Sequence, residues 1–261
     1  MTLLEKINIA YETKELFFKP WVGDQYEDGL QLKGDEKRRR VLIIGASRYC
    51  IRCIGKDKDS CLDRKRCLWV INYDKLRCVN SSCSVVEGRL CDINTYSIYN
   101  HIKGENPEVS YQRFEEGFLD YSDCMSNMEL WNHVSFINYL QCCIDTIATP
   151  ARSSSKRNTG LYDASKVIVE KIVSLLCPDL IILWGNTTFQ KNMNIVSKKE
   201  SSCSRLFYDC KKVKNWIYEI SIGDSTYPLL LTRYHPSFAS DYLEGKDIDD
   251  LVKFLRCDSP G

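Results

Sequence analysis

The sequence predicts an α/β fold of three layers, in which a central, mostly parallel sheet of four to five strands lies between two layers of helices. Short apolar runs at Val41–Ile44, Leu180–Trp184 and Leu229–Thr232 have the length and composition of strands buried on both faces. Segments with helical periodicity separate these runs along the chain. Because parallel strands need long crossover connections, this alternation is typical of a parallel sheet with helices on both sides.

The first half of the chain contains one clear strand and several weaker signals. Residues 1–36 are polar and mixed, which predicts an irregular lead-in. Residues 92–120 carry aromatic side chains at mixed spacing, which predicts one or two helices. Ser126 can cap a short helix that leads to Trp131, and Ser135–Leu140 is typical of a strand.

The second half alternates more regularly. Residues 149–160 contain a proline, three consecutive serines and three basic residues, which predicts a loop. Ala164–Leu176 carries apolar residues on one helical face. Asn215–Ile222 alternates apolar and polar residues as a strand does, and Asp247–Leu255 predicts an amphipathic terminal helix.

Bulk composition indicates a single globular domain over residues 1–261, with a cysteine-rich insertion at about residues 50–91. Lys and Arg number 36 against 35 acidic residues, which argues against a uniformly basic nucleic-acid binder but leaves room for a local basic groove. The sequence contains no run of about 18 apolar residues, so it predicts no transmembrane helix. The N-terminus lacks a signal-peptide pattern. We therefore expect a cytoplasmic monomer that does not contact membranes.

Seven of the 14 cysteines fall within the insertion. In a reducing compartment cysteines are thiols or metal ligands rather than disulfides. Only one pair there has the C-x2-C spacing, whereas a zinc ribbon needs two such pairs. Two interpretations of these cysteines therefore remain open: they bind a structural zinc ion or iron–sulfur cluster, or they are inert thiols. The candidate ligands are Cys50, Cys53, Cys61 and Cys67.

Polar residues stand at the ends of three predicted strands. A loop of small residues, Gly45–Tyr49, follows the first strand, and Asn138 lies within the strand-like segment at mid-chain. His235 follows the last strand in a His-Pro-Ser turn. Because the carboxyl ends of parallel strands meet at one sheet edge, these residues are expected to converge there.

These three segments, in this order, resemble the uracil-DNA glycosylase superfamily. Pro178–Gly185 is similar to the superfamily's Pro-Asp-hydrophobic-Gly segment, and Lys19–Gly23 resembles a stretch of a bacterial branch. The resemblance covers about residues 19–245. It implies a glycosylase that flips a damaged or modified base, expected to be a pyrimidine, out of single- or double-stranded DNA and hydrolyses its N-glycosidic bond. No cofactor is required for that chemistry.

The resemblance also implies roles for individual residues. His235 would stabilise negative charge on the departing base, since a neutral imidazole can donate an N–H to a carbonyl oxygen. Asn138 would recognise the base, since a carboxamide offers a donor and an acceptor side by side. Ser237 would contact the DNA backbone, and Phe238 could fill the space that the flipped base leaves in the base stack. Three of these residues also have a purely structural interpretation. His235 could cap the turn, Asn138 could bond to neighbouring backbone, and Phe238 could pack on the terminal helix.

The loop after the first strand departs from the superfamily's pattern. Gly45 would permit close approach of the ligand, while Arg48 and Tyr49 would complete this wall of the pocket. Active relatives place a carboxylate or amide where this chain has Ala46 or Ser47. Ser47 could hold a water molecule but is a poor general base. This departure keeps open an alternative function, a non-catalytic module that binds nucleic acid or a nucleotide on the same fold.

Basic residues of the predicted loop are candidates for contact with DNA phosphates. Arg152, Lys156 and Arg157 fall within six residues that also contain the serine triplet. They could form a phosphate-binding rim, or they could be ordinary solvated charges.

Overall fold

A computed structural model of the protein describes residues 1–13, 15–16, 18–46, 48–49, 93–105, 108–141, 143–144, 155–192, 202–237 and 243–257. Within these ranges the helices are α1 (Leu3–Glu12), α2 (Ile93–Ile102), α3 (Val109–Leu119), α4 (Asn127–His133), α5 (Ser155–Leu176), α6 (Asn186–Asn192), α7 (Ser202–Leu206) and α8 (Gly245–Cys257). The strands are β1 (Trp21–Val22), β2 (Leu30–Gln31), β3 (Arg38–Arg39), β4 (Val41–Gly45), β5 (Arg48–Tyr49), β6 (Val134–Asn138), β7 (Cys143–Ile144), β8 (Leu180–Leu183), β9 (Asp209–Lys214), β10 (Ile217–Ile222) and β11 (Ser225–Leu231).

The main sheet has seven strands in the order β1-β6-β4-β8-β11-β10-β9. Its four central strands, β6, β4, β8 and β11, run parallel to one another. Strand β1 adds to one side and β10 and β9 to the other, all antiparallel to their neighbours. The prediction of an α/β fold with parallel central strands is thus confirmed, but the sheet is wider and more mixed than the predicted four to five strands.

Both faces of the central strands are buried beneath helices. Leu42 and Ile44 of β4 belong to an apolar core that includes residues of α1, α5, α6 and α7, and we call this side of the sheet the first face. Val41 and Ile43 belong to a second core with residues of α2, α3, α4 and α8, which we call the second face. Alternate residues of one strand point to opposite faces, so burial on both sides explains the continuous apolar runs in the sequence.

Two segments differ from the sequence-based expectation. The N-terminal lead-in is not irregular: α1 begins with a capping box, in which Thr2 and Glu5 bond each other's backbone N–H groups. The predicted loop at residues 149–160 is wrong for its second half, because α5 starts at Ser155. This polar first stretch of α5 lacks the apolar stripe by which a helix is detected in a sequence.

The sequence pattern also did not predict the edge strand β9. Its residues are mostly exposed and include Lys211, Lys212 and Lys214. Lysines on an edge strand discourage pairing with another chain, so their presence here has a structural explanation that does not require a ligand. None of the helices in the described ranges combines the length and apolar character needed to cross a membrane.

A buried carboxyl group joins the helices of the second face. Glu115 of α3 is 2% exposed and accepts hydrogen bonds from Nε1 of Trp131 over 2.7 Å and from Nδ2 of Asn127 over 2.7 Å. It also lies 2.8 Å from Nε2 of His101, whose Nδ1 accepts the backbone N–H of Glu108. The bond to Nδ1 puts the ring proton on Nε2, so His101 donates to Glu115. This carboxyl group therefore links α3 to both α2 and α4.

We expect Glu115→Leu to lower the free energy of unfolding by about 3–5 kcal/mol, because it leaves several buried donors without an acceptor. Urea unfolding followed by tryptophan fluorescence measures the change. The neighbouring Glu116 is exposed on the same helix, so Glu116→Leu is a matched control and should change stability by less than about 0.5 kcal/mol. Equal effects of the two substitutions would contradict the structural role of Glu115.

Candidate functional site

The chain leaves the carboxyl ends of β4 and β8 in different directions. After β4 it reaches β6 by way of α2, α3 and α4 on the second face, whereas after β8 it continues into α6 and α7 on the first face. In open parallel sheets, such a divergence creates a crevice beyond the strand ends, where ligands bind. The topology therefore puts the candidate site at the carboxyl edge of β6, β4, β8 and β11.

Close contacts with β8 and α3 fix the loop that carries His235. The backbone N–H of Gly185 donates to Oγ1 of Thr232 over 2.9 Å, which joins the end of β8 to the end of β11. From α3, Nη1 of Arg113 donates to the carbonyl oxygen of Pro236 over 3.1 Å. Gly185 has a φ of +90°, and a Cβ atom there would lie 2.9 Å from Cβ of His235. Glycine at this position therefore lets the histidine loop pass directly over the end of β8.

The ring of His235 is held as a neutral imidazole with a defined tautomer. Burial lowers the pKa of His235 from 6.5 to about 4, because a charged ring loses its hydration there. Nδ1 accepts the backbone N–H of Ser237 at 3.2 Å and lies 2.8 Å from the Ser237 hydroxyl. An accepting Nδ1 leaves the single ring proton on Nε2. His235 is therefore neutral at neutral pH and carries its ring proton on Nε2.

A chain of amide hydrogen bonds sets the orientation of Asn138 at the end of β6. Asn94 of α2 donates through Nδ2 to the carbonyl oxygen of Lys19 over 2.9 Å, so its Oδ1 faces Asn138 and accepts from Nδ2 there over 3.3 Å. Asn138 is 6% exposed. A Cβ atom at Gly45 would lie 2.9 Å from Oδ1 of Asn138, so a larger residue at position 45 would force this carboxamide to shift. The side chain keeps one Nδ2 hydrogen and Oδ1 for other partners.

Asn138 and His235 lie on the same face of the sheet, with aromatic rings between them. Asn138 bonds to α2 and the His235 loop bonds to α3, and both helices belong to the second face. The ring centroids of Phe136 and Trp184 are 5.4 Å apart, and those of Trp184 and His235 are 5.6 Å apart in an edge-to-face arrangement. Trp184 is 1% exposed, and its Nε1 has no hydrogen-bond partner in the described part of the chain. These aromatic rings form a rigid base beneath the carboxyl edge of the strands.

The loop after β4 is only partly brought into this group. Gly45 lies beside Asn138, with which it pairs in the sheet register. Ala46 is 2% exposed and belongs to the first-face core, so its side chain points away from Asn138 and His235 because strand residues alternate. Arg48–Tyr49 forms β5, which pairs with β7 beyond the sheet edge. Predicted site residues outside the described residues are Ser47, Phe238 and Arg152.

The predicted metal ligands Cys50, Cys53, Cys61 and Cys67 also lie outside the described residues. Among the residues that the structure does describe, no group of three or more His, Cys, Asp or Glu side chains has a metal-binding arrangement. The metal site in the insertion remains a prediction.

Helix α5 extends toward the same end of the molecule as the candidate site. Its last residue, Leu176, lies four positions before β8 begins, so this end is at the amino edge of the central strands. With 22 residues the helix is about 33 Å long, whereas a five-residue strand spans about 17 Å. The first turn, which contains Lys156 and Arg157, therefore projects beyond the carboxyl edge of the sheet.

Several positioning residues escaped the sequence analysis. Arg113 lies more than a hundred positions from the loop it holds, and nothing in its local sequence distinguishes it from other helical arginines. Asn94 gives no sequence signal either, since its contact with Asn138 depends on how α2 packs. Thr232 could have been noticed, because a hydroxyl residue directly follows the apolar run of β11.

No protein-family model, curated protein sequence or solved structure matches this chain significantly. The resemblance to the glycosylase superfamily therefore stays a prediction, and the geometry of the carboxyl edge is the basis for proposing a function.

Proposed function

We propose that the protein flips a damaged or modified pyrimidine base out of DNA and hydrolyses its N-glycosidic bond. The observation that carries this proposal is the placement of a neutral Nε2–H donor, His235, and an oriented carboxamide, Asn138, on one face of the sheet at its carboxyl edge. Hydrolysis breaks the bond between C1′ and the base nitrogen. Water supplies the hydroxyl group to C1′, and the departing base takes up the negative charge and then a proton.

His235 suits the stabilisation of that leaving base. An Nε2–H bond to a pyrimidine carbonyl oxygen strengthens as negative charge develops on the base, which lowers the barrier. The bond from Ser237 to Nδ1 keeps the proton on the far side of the ring. Because Arg113 and Thr232 fix the loop beforehand, little reorganisation is needed during the reaction.

Asn138 suits the reading of the base edge. Its Oδ1 and remaining Nδ2 hydrogen form the acceptor–donor pair that complements one edge of a pyrimidine. Since Asn94 holds the amide in one orientation, the order of donor and acceptor is set before the base arrives. A base with the opposite pattern would leave buried polar groups unpaired, which is a strong basis for selectivity.

The reaction would proceed through a dissociative transition state. Ala46 points into the core and Ser47 is a weak base, so neither can activate water strongly. Bond cleavage then runs ahead of water attack, and the sugar becomes oxocarbenium-like. The DNA phosphates would stabilise that cation, while His235 stabilises the departing anion.

His235→Ala should lower the rate of base release about 100- to 1000-fold, because a preorganised donor is lost. Ser47→Ala should have a smaller effect, and Asn138→Ala should change the ranking of substrates as well as the rate. Single-turnover assays on oligonucleotides with one modified base, followed by alkaline cleavage of the abasic product, measure these rates. Unchanged melting temperatures and affinities for undamaged DNA serve as controls.

The alternative function, a module that binds a flipped base or nucleotide without cleaving it, is favoured by Ala46 and Ser47 where relatives carry water-activating groups. The same assay separates the two functions. The protein would be a binding module if the wild type releases none of the tested bases but binds DNA with a flipped base tightly, and if Asn138→Ala abolishes that binding. Small and equal effects of all three substitutions on cleavage would place the chemistry elsewhere.

A neutral His235 makes a separate prediction about pH. We expect the ring to titrate with a midpoint of about 4 and to carry its proton on Nε2, and long-range ¹H–¹⁵N spectra measure both properties. The unfolded chain binds this proton near pH 6.5, so stability should fall as the pH is lowered from about 6.5 to about 4. His235→Gln assigns the resonance and removes this part of the pH dependence. A midpoint near 6.5, or a proton on Nδ1, is the contrary result.

The start of α5 is expected to contact DNA phosphates. Replacing Lys156 or Arg157 by Gln should weaken binding equally for all sequences and reduce the slope of log affinity against log salt by about 1 for each lost contact. Lys171 lies toward the opposite end of the same helix in an ion pair with Glu15, so Lys171→Gln is a matched control that should leave the slope unchanged. An unaltered slope after removal of Arg152, Lys156 and Arg157 together would reject this surface.

A further inference from the structure

Two cysteines on the first face lie in contact, and neither belongs to the candidate site or to the cysteine-rich part of the sequence. Sγ of Cys203 in α7 and Sγ of Cys210 in β9 are 2.6 Å apart. Cys203 is fully buried, whereas Cys210 is half-buried on the edge strand of the sheet. One thiol of the pair is therefore protected and the other can be reached from solvent.

The fold holds each sulfur atom in place independently of the other. Cys203 and Leu206 of α7 pack into the first-face core, and the backbone N–H of Phe207 donates to the carbonyl oxygen of Cys203. Cys210 is fixed by the pairing of β9 with β10, where it lies opposite Ile220. Because the sulfur atoms are already 2.6 Å apart and a disulfide bond is about 2.0 Å long, a bond between them requires only a small movement of the side chains.

We propose that Cys203 and Cys210 form a redox-responsive pair that hydroperoxides convert to an intramolecular disulfide. This proposal does not depend on the proposed glycosylase function. It assigns a modification site in a part of the chain where the sequence pattern, which has six residues between the cysteines, suggests neither a metal motif nor a redox motif.

The accessibility of the two thiols sets the order of the chemistry. The thiolate of Cys210 attacks one oxygen of hydrogen peroxide, which forms a sulfenic acid and releases hydroxide. The proton that Cys210 lost on ionisation converts this hydroxide to water. The sulfur of Cys203 then attacks the sulfenic sulfur, the S–S bond forms, the S–O bond breaks, and the sulfenic hydroxyl group leaves as water with the Cys203 proton. In total, two thiols and one hydrogen peroxide yield one disulfide and two waters. Burial raises the pKa of Cys203, which keeps this thiol protonated and unreactive until its partner is oxidised.

The disulfide would close a short loop and tie the edge strand to the helix layer. In the reduced protein β9 is joined to the sheet through β10 alone, because it is the last strand. A bond between Cys210 and Cys203 would add a covalent link from β9 to α7. Oxidation should therefore stabilise this end of the sheet against local opening.

Peptide mapping of the full chain tests the proposal directly. Trypsin cleaves after Lys199, Arg205 and Lys211, so the two cysteines fall in separate peptides, residues 200–205 and 206–211. After treatment with hydrogen peroxide and blocking of the remaining thiols, these two peptides should be recovered as one linked species. Dithiothreitol should separate them again. The exposed thiol of Cys177 is an internal control for general oxidation.

Cys210→Ser provides the matched variant, since it replaces only the accessible sulfur. In this variant Cys203 should stay reduced under the same treatment, and peroxide should not change the melting temperature. In the wild-type protein, peroxide should raise the melting temperature by about 5 °C. Oxidation of Cys177 without any linked peptide, or linkage of Cys210 to a different cysteine, would overturn the proposal.

Discussion

The hydroxyl group of Thr232 joins the ends of two parallel strands, and the position of His235 depends on that link. It accepts the backbone N–H of Gly185 over 2.9 Å and donates to the carbonyl oxygen of Tyr234 over 2.8 Å. Parallel strands that end together leave backbone groups without ladder partners, and burial makes unpaired groups costly. Thr232 satisfies such groups on both strands and bends the chain after β11 toward β8. Without this turn, the imidazole would not lie over Gly185 and beside Trp184.

Further buried hydrogen bonds explain why the site is preorganised rather than flexible. The loop of His235 is held by Arg113 from α3, and α3 is in turn held by the buried carboxyl group of Glu115. Asn138 is oriented by Asn94 from α2, which Glu115 also reaches through His101. One buried polar group thus supports the helices behind both candidate residues. A preorganised neutral donor is useful where negative charge develops, and a fixed carboxamide is useful where one base must be distinguished from another.

Sequence reasoning succeeded where burial imposes a pattern and failed where contacts are long-range. Strands β4, β8 and β11 were visible because both of their faces are covered, which leaves uninterrupted apolar runs. Strand β9 was invisible because its exposed lysines give no alternation, and β1 is only two residues long. Gly45, Asn138 and His235 could be placed at one edge from strand direction alone. The contacts of Arg113 and Asn94 could not, since they depend on how separate helices pack against the sheet.

Under the proposed function, the two faces of the sheet would divide the work that base excision requires. The second face carries Asn138 and His235, which are fixed by a closed network of helices, and it is suited to the geometry of a single base. The first face carries α5, whose basic first turn projects past the strand ends, and α7 with its cysteine pair. A hydrogen bond from Ser202 of α7 to Asn186, the residue after Gly185, connects this face to the strand end beneath His235. Contact with the DNA backbone and the chemistry on the base would therefore rest on opposite helix layers, and the carboxyl edge of the sheet is where they meet.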